Sequence, residues 1–217
     1  MPFCFLTPPL PLLKRLSEAL VCVVLVGIFR NYPRYLPPDF TADFLVGRRG
    51  SFHGAYACAF YAHLISGPLV LILGLLLVDT SFRRRFALWH RVLGRVQLVN
   101  VLLLLVPSGL WMAFHADGGI VARLGFALLA VATGLCASCG WRAAVARRFD
   151  SHRKWMQRCF VLLCSAVFLR LSSAVATLTG ASPDWLYPLL AWTTWVVPLL
   201  VNEVVMADRP DRPRPSS

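Results

Sequence analysis

Charge is scarce in this sequence. Only 15% of its 217 residues are Asp, Glu, Lys or Arg, and 58% are hydrophobic. A soluble domain carries about 25% charged and about 45–50% apolar residues, so a soluble chain of this composition would lack the polar surface to cover its core. The motifs G-x-x-x-x-G-K-[ST], G-x-S-x-G and H-E-x-x-H are absent, which removes the phosphoryl-transfer and hydrolytic chemistries those spacings serve. The seven cysteines are odd in number and scattered, mostly inside apolar runs. That excludes the disulfide framework of a small secreted domain. Acidic residues are also few, 10 against 22 basic, for a formal charge of +12. The basic residues cluster at the ends of apolar runs rather than among aromatics, so they read as topology signals and lipid anchors, and no nucleic-acid partner is expected.

What is present is a series of long apolar runs. About 20 consecutive apolar residues rising 1.5 Å each cross the hydrocarbon layer; the sequence offers five runs of that length, 55–78, 90–115, 120–145, 152–178 and 185–206, and a shorter one before them, 16–29. The first is the shortest and carries Ser17 and Glu18. It follows Lys14 and Arg15 like a secretory signal, but Arg30-Asn31-Tyr32-Pro33 after it offers no small-residue cleavage site, so an uncleaved helix is favoured. Pro68, Pro107, Pro188 and Pro198 fall inside the runs, which membrane helices tolerate when neighbours satisfy the freed carbonyls.

Arg83, Arg84 and Arg85 fill the loop between the second and third runs, and Arg147, Arg148, Arg153 and Lys154 the one between the fourth and fifth. Loops 116–119 and 179–184 contain neither Lys nor Arg. Positive residues stay inside, so the expected fold is all-α, a polytopic membrane helical bundle of six transmembrane helices, N-in/C-in. Its parts are a cytoplasmic N-terminus (1–15), a first helix (16–29), an outer loop (30–54), a five-helix core (55–206) and a disordered cytoplasmic tail (207–217). The expected setting is the cytoplasmic (inner) membrane, with the lipid bilayer as partner. Phe40, Phe44, Leu45 and Phe52 of the outer loop suit the outer membrane surface, although its Arg30, Arg34, Arg48 and Arg49 run against the charge rule. The two basic loops also echo each other, since both lead into a helix through His-Arg, at His90-Arg91 and His152-Arg153. Duplication of a helical hairpin and ordinary accumulation of Arg at helix entries explain this equally well.

Ionisable side chains inside a bilayer are costly, so each is a candidate site unless a partner explains it. His63 and Arg170 fall at similar depth in the outer half, and no acidic residue matches Arg170 there. Towards the inner side lie His90, Arg95, His152, Arg158 and Glu203. Glu203 can neutralise Arg158 or Arg95. His90 and His152 either cap helix starts or face each other across the bundle, where they would serve as metal ligands or hold b-type haem, with Arg side chains on its propionates. His53 and His115 read as solvated. Cys136, Cys139, Cys159 and Cys164 offer four thiols on adjacent helices, or ordinary small apolar packing. Ala130, Gly134 and Ser138 form a small-residue face for close helix packing, and Trp192 and Trp195 lie deep enough to stack on a flat ligand.

Together, His63-x-x-x-Gly67-Pro68, His90-Arg91-x-x-Gly94-Arg95, His152-Arg153-x-Trp155-Met156-x-Arg158, Arg170-Leu171 and Trp192-x-x-Trp195 with Glu203 resemble the bacterial membrane family called domain of unknown function 2306, over roughly 55–206. The His-Arg-x-Trp-Met-x-Arg run is the most specific part. The last run departs from the family pattern, with Leu199 after Pro198 and the asparagine at Asn202. The resemblance implies that His63, His90, His152, Arg158 and Arg170 belong to one constellation, and it assigns no activity. A more distant analogy is to transmembrane di-haem cytochrome b proteins. The leading expectation is a membrane redox protein binding b-type haem or a quinone between helices, with a redox partner. The alternatives are a transporter or binder of a small anionic or protonated molecule, and a non-catalytic assembly factor.

Overall fold

A computed structural model describes residues 10–42, 44–180 and 183–207. The tail arginines Arg209, Arg212 and Arg214, the start of the N-terminus and the side chain of Lys14 lie outside the described residues. The described residues form helices and turns with no strand. The chain divides into two units, Met1–Cys58 and Ala59–Ser217.

The first unit holds α1 (Leu10–Asn31), a 3-10 turn at Tyr32–Arg34 and a run of turns leading to the next helix. The turns are stitched locally. Asp39 accepts from the Thr41 hydroxyl and amide at 2.6 and 2.9 Å and pairs with Arg34 at 3.4 Å. The Thr41 hydroxyl, then its amide, hold the Asp39 carboxyl below the ordinary carboxylate range. Arg48 donates to the Tyr56 hydroxyl at 2.9 Å and lies over the Phe44 ring, while Arg49 lies over Phe40. Aromatics and arginines thus interleave through the segment.

The remaining helices are α2 (Gly54–Val78), α3 (Thr80–Arg85), α4 (Ala87–Val99), α5 (Val106–Phe114), α6 (Gly119–Val145), α7 (Phe149–Leu163), α8 (Ser165–Thr179) and α9 (Leu186–Ala207). A π-helical segment, Asn100–Leu105, joins α4 to α5. Five stretches are long and apolar enough to cross a membrane: Gly54–Val78, Ala87–Phe114, Gly119–Val145, Phe149–Thr179 and Leu186–Ala207. Helix α1, with Lys14, Arg15 and Glu18 in its first half, is not one of these five. Large apolar residues such as Leu103, Leu135, Val175 and Leu200 are exposed along the spans, as a surface solvated by lipid tails requires.

Helix α6 is the hub, packing on α4, α5, α7 and α9. Lipid tails are as apolar as leucine, so helices in a bilayer associate by close packing of small residues. The buried face of α6 is Ala122, Gly125, Thr133, Cys136, Ala137 and Gly140 with Ala143. A Cβ on Gly125 would stand 2.8 Å from the Ala191 carbonyl oxygen of α9, and one on Gly140 would stand 2.6 Å from the Met156 sulfur of α7. Ala130 and Gly134, read from the sequence as a small-residue face for close packing, stand against Gly109 and Val106 of α5. Small residues therefore serve two sides of this helix.

Two local features sharpen the basic loops. Asp79 caps α3 by accepting from the Phe82 amide at 2.8 Å, so the first basic loop is itself a short helix. After α6 the Arg148 amide bonds the Ala143 carbonyl and the Arg147 amide the Ala144 carbonyl, the paired closure of a helix C-terminus in which the left-handed residue is usually glycine. Here it is Arg147, at φ 57°. Both hairpins then place their histidine alike: His90 is the fourth residue of α4 and His152 the fourth of α7.

Candidate functional site

The polar residues of the spans gather in three places. The first is the seam between α7 and α9. Arg158 donates through Nε and Nη2 to the two Glu203 oxygens at 2.7 and 2.6 Å. Its guanidinium also lies 4.8 Å from the Trp155 ring centroid. One residue along, Gln157 donates to Asn202 at 2.7 Å, and Asn202 in turn reaches Glu203 at 3.5 Å. This is a fork-to-fork pair with a neighbouring amide bond, and its charges and amides answer one another.

The second place is the N-terminal end of α4 and of α7. His152 Nδ1 lies 2.9 Å from the Gly140 carbonyl oxygen. A carbonyl only accepts, so the ring proton sits on Nδ1 and Nε2 keeps the lone pair. His90 lies within electrostatic reach of His152 and of Arg83, and its buried Nδ1 has no partner among the described residues. Arg95, one turn beyond on α4, is exposed and makes no hydrogen bond or ion pair among them.

The third is the contact of α2 with α4, the π segment and α5. His63 Nδ1 is 3.2 Å from the Ser108 hydroxyl. That hydroxyl is also 2.5 Å from the Leu104 carbonyl and 3.1 Å from the Leu105 carbonyl. Ser108 has one proton, committed to a carbonyl, so it accepts from His63. In the neutral ring Nδ1 carries the proton and Nε2 the lone pair. Arg170 of α8, which donates to the Ala166 carbonyl at 3.1 Å, lies within electrostatic reach of the His63 ring.

The π segment makes this geometry. Pro107 has no amide proton and cannot continue the ladder, and the Val106 amide bonds the Val101 carbonyl, five residues back. The extra residue shifts the register of α5 against α4, and π-bulges of this kind recur at functional sites. Below it, Asn100 donates to the Ser66 carbonyl at 3.3 Å and Gln97 to the Val70 carbonyl at 3.0 Å. None of Gln97, Asn100 or Ser108 was singled out from the sequence. The usable signal was a pair of amides three residues apart within a membrane-spanning run, followed by Pro-Ser.

The other candidates are placed as follows. Among the described residues, no three His, Cys, Asp or Glu come together to hold a metal, so the four thiols do not form a ligand set. Cys136 and Cys159 are buried, and all described cysteines are free. Trp192 and Trp195 stack on each other at 5.9 Å between centroids. Both indole N–H groups are committed to backbone, Trp192 to Val121 and Trp195 to Ala191, so they brace helices. His115 sits 2.9 Å from the Trp111 carbonyl.

No curated protein and no solved structure matches the chain. Residues 60–206, well over half of the sequence, match the family described as Predicted membrane protein (DUF2306), and five apolar spans agree with that description: the chain is a membrane protein of unknown function and belongs to this family.

Proposed function

We propose that the chain is a six-span protein of the cytoplasmic (inner) membrane, both termini inside, whose outer-half site takes up a small weak acid as an anion with its proton. The orientation is supported by the arginines of α3 and of the turn around Arg147, against loops 116–118 and 180–185 without Lys or Arg. The sixth span is α1, whose 22 residues reach about 33 Å, enough for a hydrocarbon layer of about 30 Å.

One observation carries the site: Ser108 fixes the His63 tautomer so that Nε2 is a proton acceptor in the field of Arg170. A guanidinium binds a carboxylate or phosphate oxygen through paired N–H groups, and an imidazole lone pair takes the accompanying proton. Arg170 is then the anion clamp and His63 the proton carrier. Uptake of radiolabelled acetate and of inorganic phosphate into proteoliposomes, with an inward proton gradient, tests this. The expected result is gradient-dependent uptake of one of them, abolished by Arg170→Gln and by His63→Leu. Uptake equal to that of protein-free liposomes for both probes contradicts it.

A second reading is supported by the inner histidines. A ring whose Nδ1–H is held by a carbonyl, as in His152, presents Nε2 as metal-ligating histidines do, and His90 is its electrostatic neighbour. In this reading His90 and His152 hold b-type haem or approach a quinone, and the bound group supplies one-electron chemistry. Arg95 is available to a propionate or quinone oxygen, whereas Arg158 is committed to Glu203. Protein purified in mild detergent would show a Soret band lost in His152→Ala; colourless protein after haem addition contradicts it.

A further inference from the structure

Three side-chain polar atoms are buried without a hydrogen-bond partner among the described residues: His90 Nδ1, Gln97 Oε1 and Asn100 Oδ1. All three fall on one span. Spacings of seven and three residues put them on one helical face, and the bonds of Gln97 and Asn100 to α2 carbonyls identify it as the face against α2. Ser108, bonded to His63 of α2, continues the same line past the π segment. Flipping either amide would set its oxygen against a carbonyl oxygen, so the acceptors stay unanswered in either orientation.

An unanswered buried acceptor costs about 1–3 kcal/mol. Three on one face of one helix are not a packing requirement. From His90 to Ser108 the face runs about 27 Å at 1.5 Å per residue, close to the hydrocarbon thickness of about 30 Å. Space is available beside it. A cleft of about 370 Å³ opens against Asn100 between Leu69 of α2 and Val96 and Val99 of α4, with Arg95 on its wall. At about 30 Å³ per water the cleft has room for several, and its wall is apolar apart from Arg95 and Asn100.

We infer that the seam between α2 and the α4–π–α5 span is a proton path across the membrane, in which waters held by Gln97 and Asn100 connect His90 to the His63–Ser108 pair. Each relay member takes one proton and releases another. His63 accepts on Nε2 and gives its Nδ1 proton to Ser108, whose own proton passes to the next water when the hydroxyl turns from the Leu104 carbonyl. One proton leaves at His90 for each that enters at His63, and the transmembrane gradient sets the direction. Arg83 bears on His90, Arg170 bears on His63, and Arg95 lines the cleft between them. The path shares His63 with the anion site but needs no anion.

Purified full-length protein in liposomes loaded with a pH-sensitive dye, driven by a valinomycin potassium potential, tests it. The wild type should pass protons faster than empty liposomes. Asn100→Leu and Gln97→Leu should each lower the rate by about tenfold, the weight of one lost hydrogen-bond partner, at unchanged unfolding midpoint. If one variant fails to reconstitute, the other decides. Wild-type flux equal to that of empty liposomes overturns the inference, as does flux unchanged in either folded variant. Acetate and phosphate uptake absent while flux depends on Asn100 removes the anion site and leaves the path. Uptake present without flux does the reverse.

Discussion

The seam between α7 and α9 and the seam between α2 and α4 are both polar, but they are completed differently. In the first, Arg158 meets Glu203 through two bonds and Gln157 meets Asn202. In the second, Gln97 and Asn100 spend their N–H groups on α2 carbonyls and keep an oxygen without a partner. A satisfied network rigidifies and specifies a bundle, and a partly satisfied one carries a standing cost. The contrast assigns structure to the first seam and traffic to the second. Polarity alone did not separate them; the accounting of donors and acceptors did.

Breaking the satisfied seam should have the largest effect on stability. Glu203→Ala leaves the Arg158 guanidinium unanswered, and hydrogen bonds to charged groups contribute about 1.5–3 kcal/mol each. The unfolding midpoint in mild detergent should fall by several degrees, and Arg158→Lys, which loses the fork, should also fall. A wild-type midpoint in both would refute the structural role. Next comes Gly125→Ala, whose Cβ meets a backbone oxygen of α9 at 2.8 Å. Overpacking of this kind costs about 1–3 kcal/mol, readable in the same scan. Ser108→Ala removes the acceptor of His63 Nδ1 at a cost of about 1 kcal/mol. Its signature is a changed tautomer balance in the nitrogen NMR shifts of His63; an unchanged balance breaks the argument for the outer site. Asn100→Leu, on the unsatisfied seam, should shift the midpoint least of the five.

The smallest effect lies outside both seams, at Asp39. Thr41 lowers its folded pKa, so its contribution is present above the ordinary carboxylate value of about 4 and is lost as pH falls through the lower folded value. Protection of the Thr41 amide against hydrogen exchange, taken relative to the intrinsic rate at each pH, should fall on acidification and be low at all pH in Asp39→Ala. Exchange insensitive to both removes this turn from the account.

The spans were legible because a hydrocarbon layer imposes length and composition on any helix crossing it. The run 120–145 is α6 at Gly119–Val145, and 55–78 is α2 at Gly54–Val78. The loop expected at Arg83, Arg84 and Arg85 is instead the short helix α3, capped by Asp79. The break at Cys164, between α7 and α8, carries no proline or glycine and left no local signal. Equal depth from the outer ends put His63 and Arg170 on one level, and the charge of Arg170 does bear on His63. That Ser108 completes the group depends on the register of α5, which the π segment sets and no apolar periodicity reveals. The partnership of Arg158 with Glu203, one of two open for that carboxylate, depended on which helices adjoin, and connectivity alone does not fix that.

The central claim is that the unanswered seam moves protons and the answered one holds the bundle. Dye-loaded liposomes carrying Asn100→Leu or Asn202→Leu, each normalised to folded protein, test it most directly. The account predicts that Asn100→Leu loses flux at a wild-type unfolding midpoint. It predicts that Asn202→Leu keeps its flux per folded molecule while its midpoint falls. Flux retained in Asn100→Leu, or lost equally in both, would contradict it.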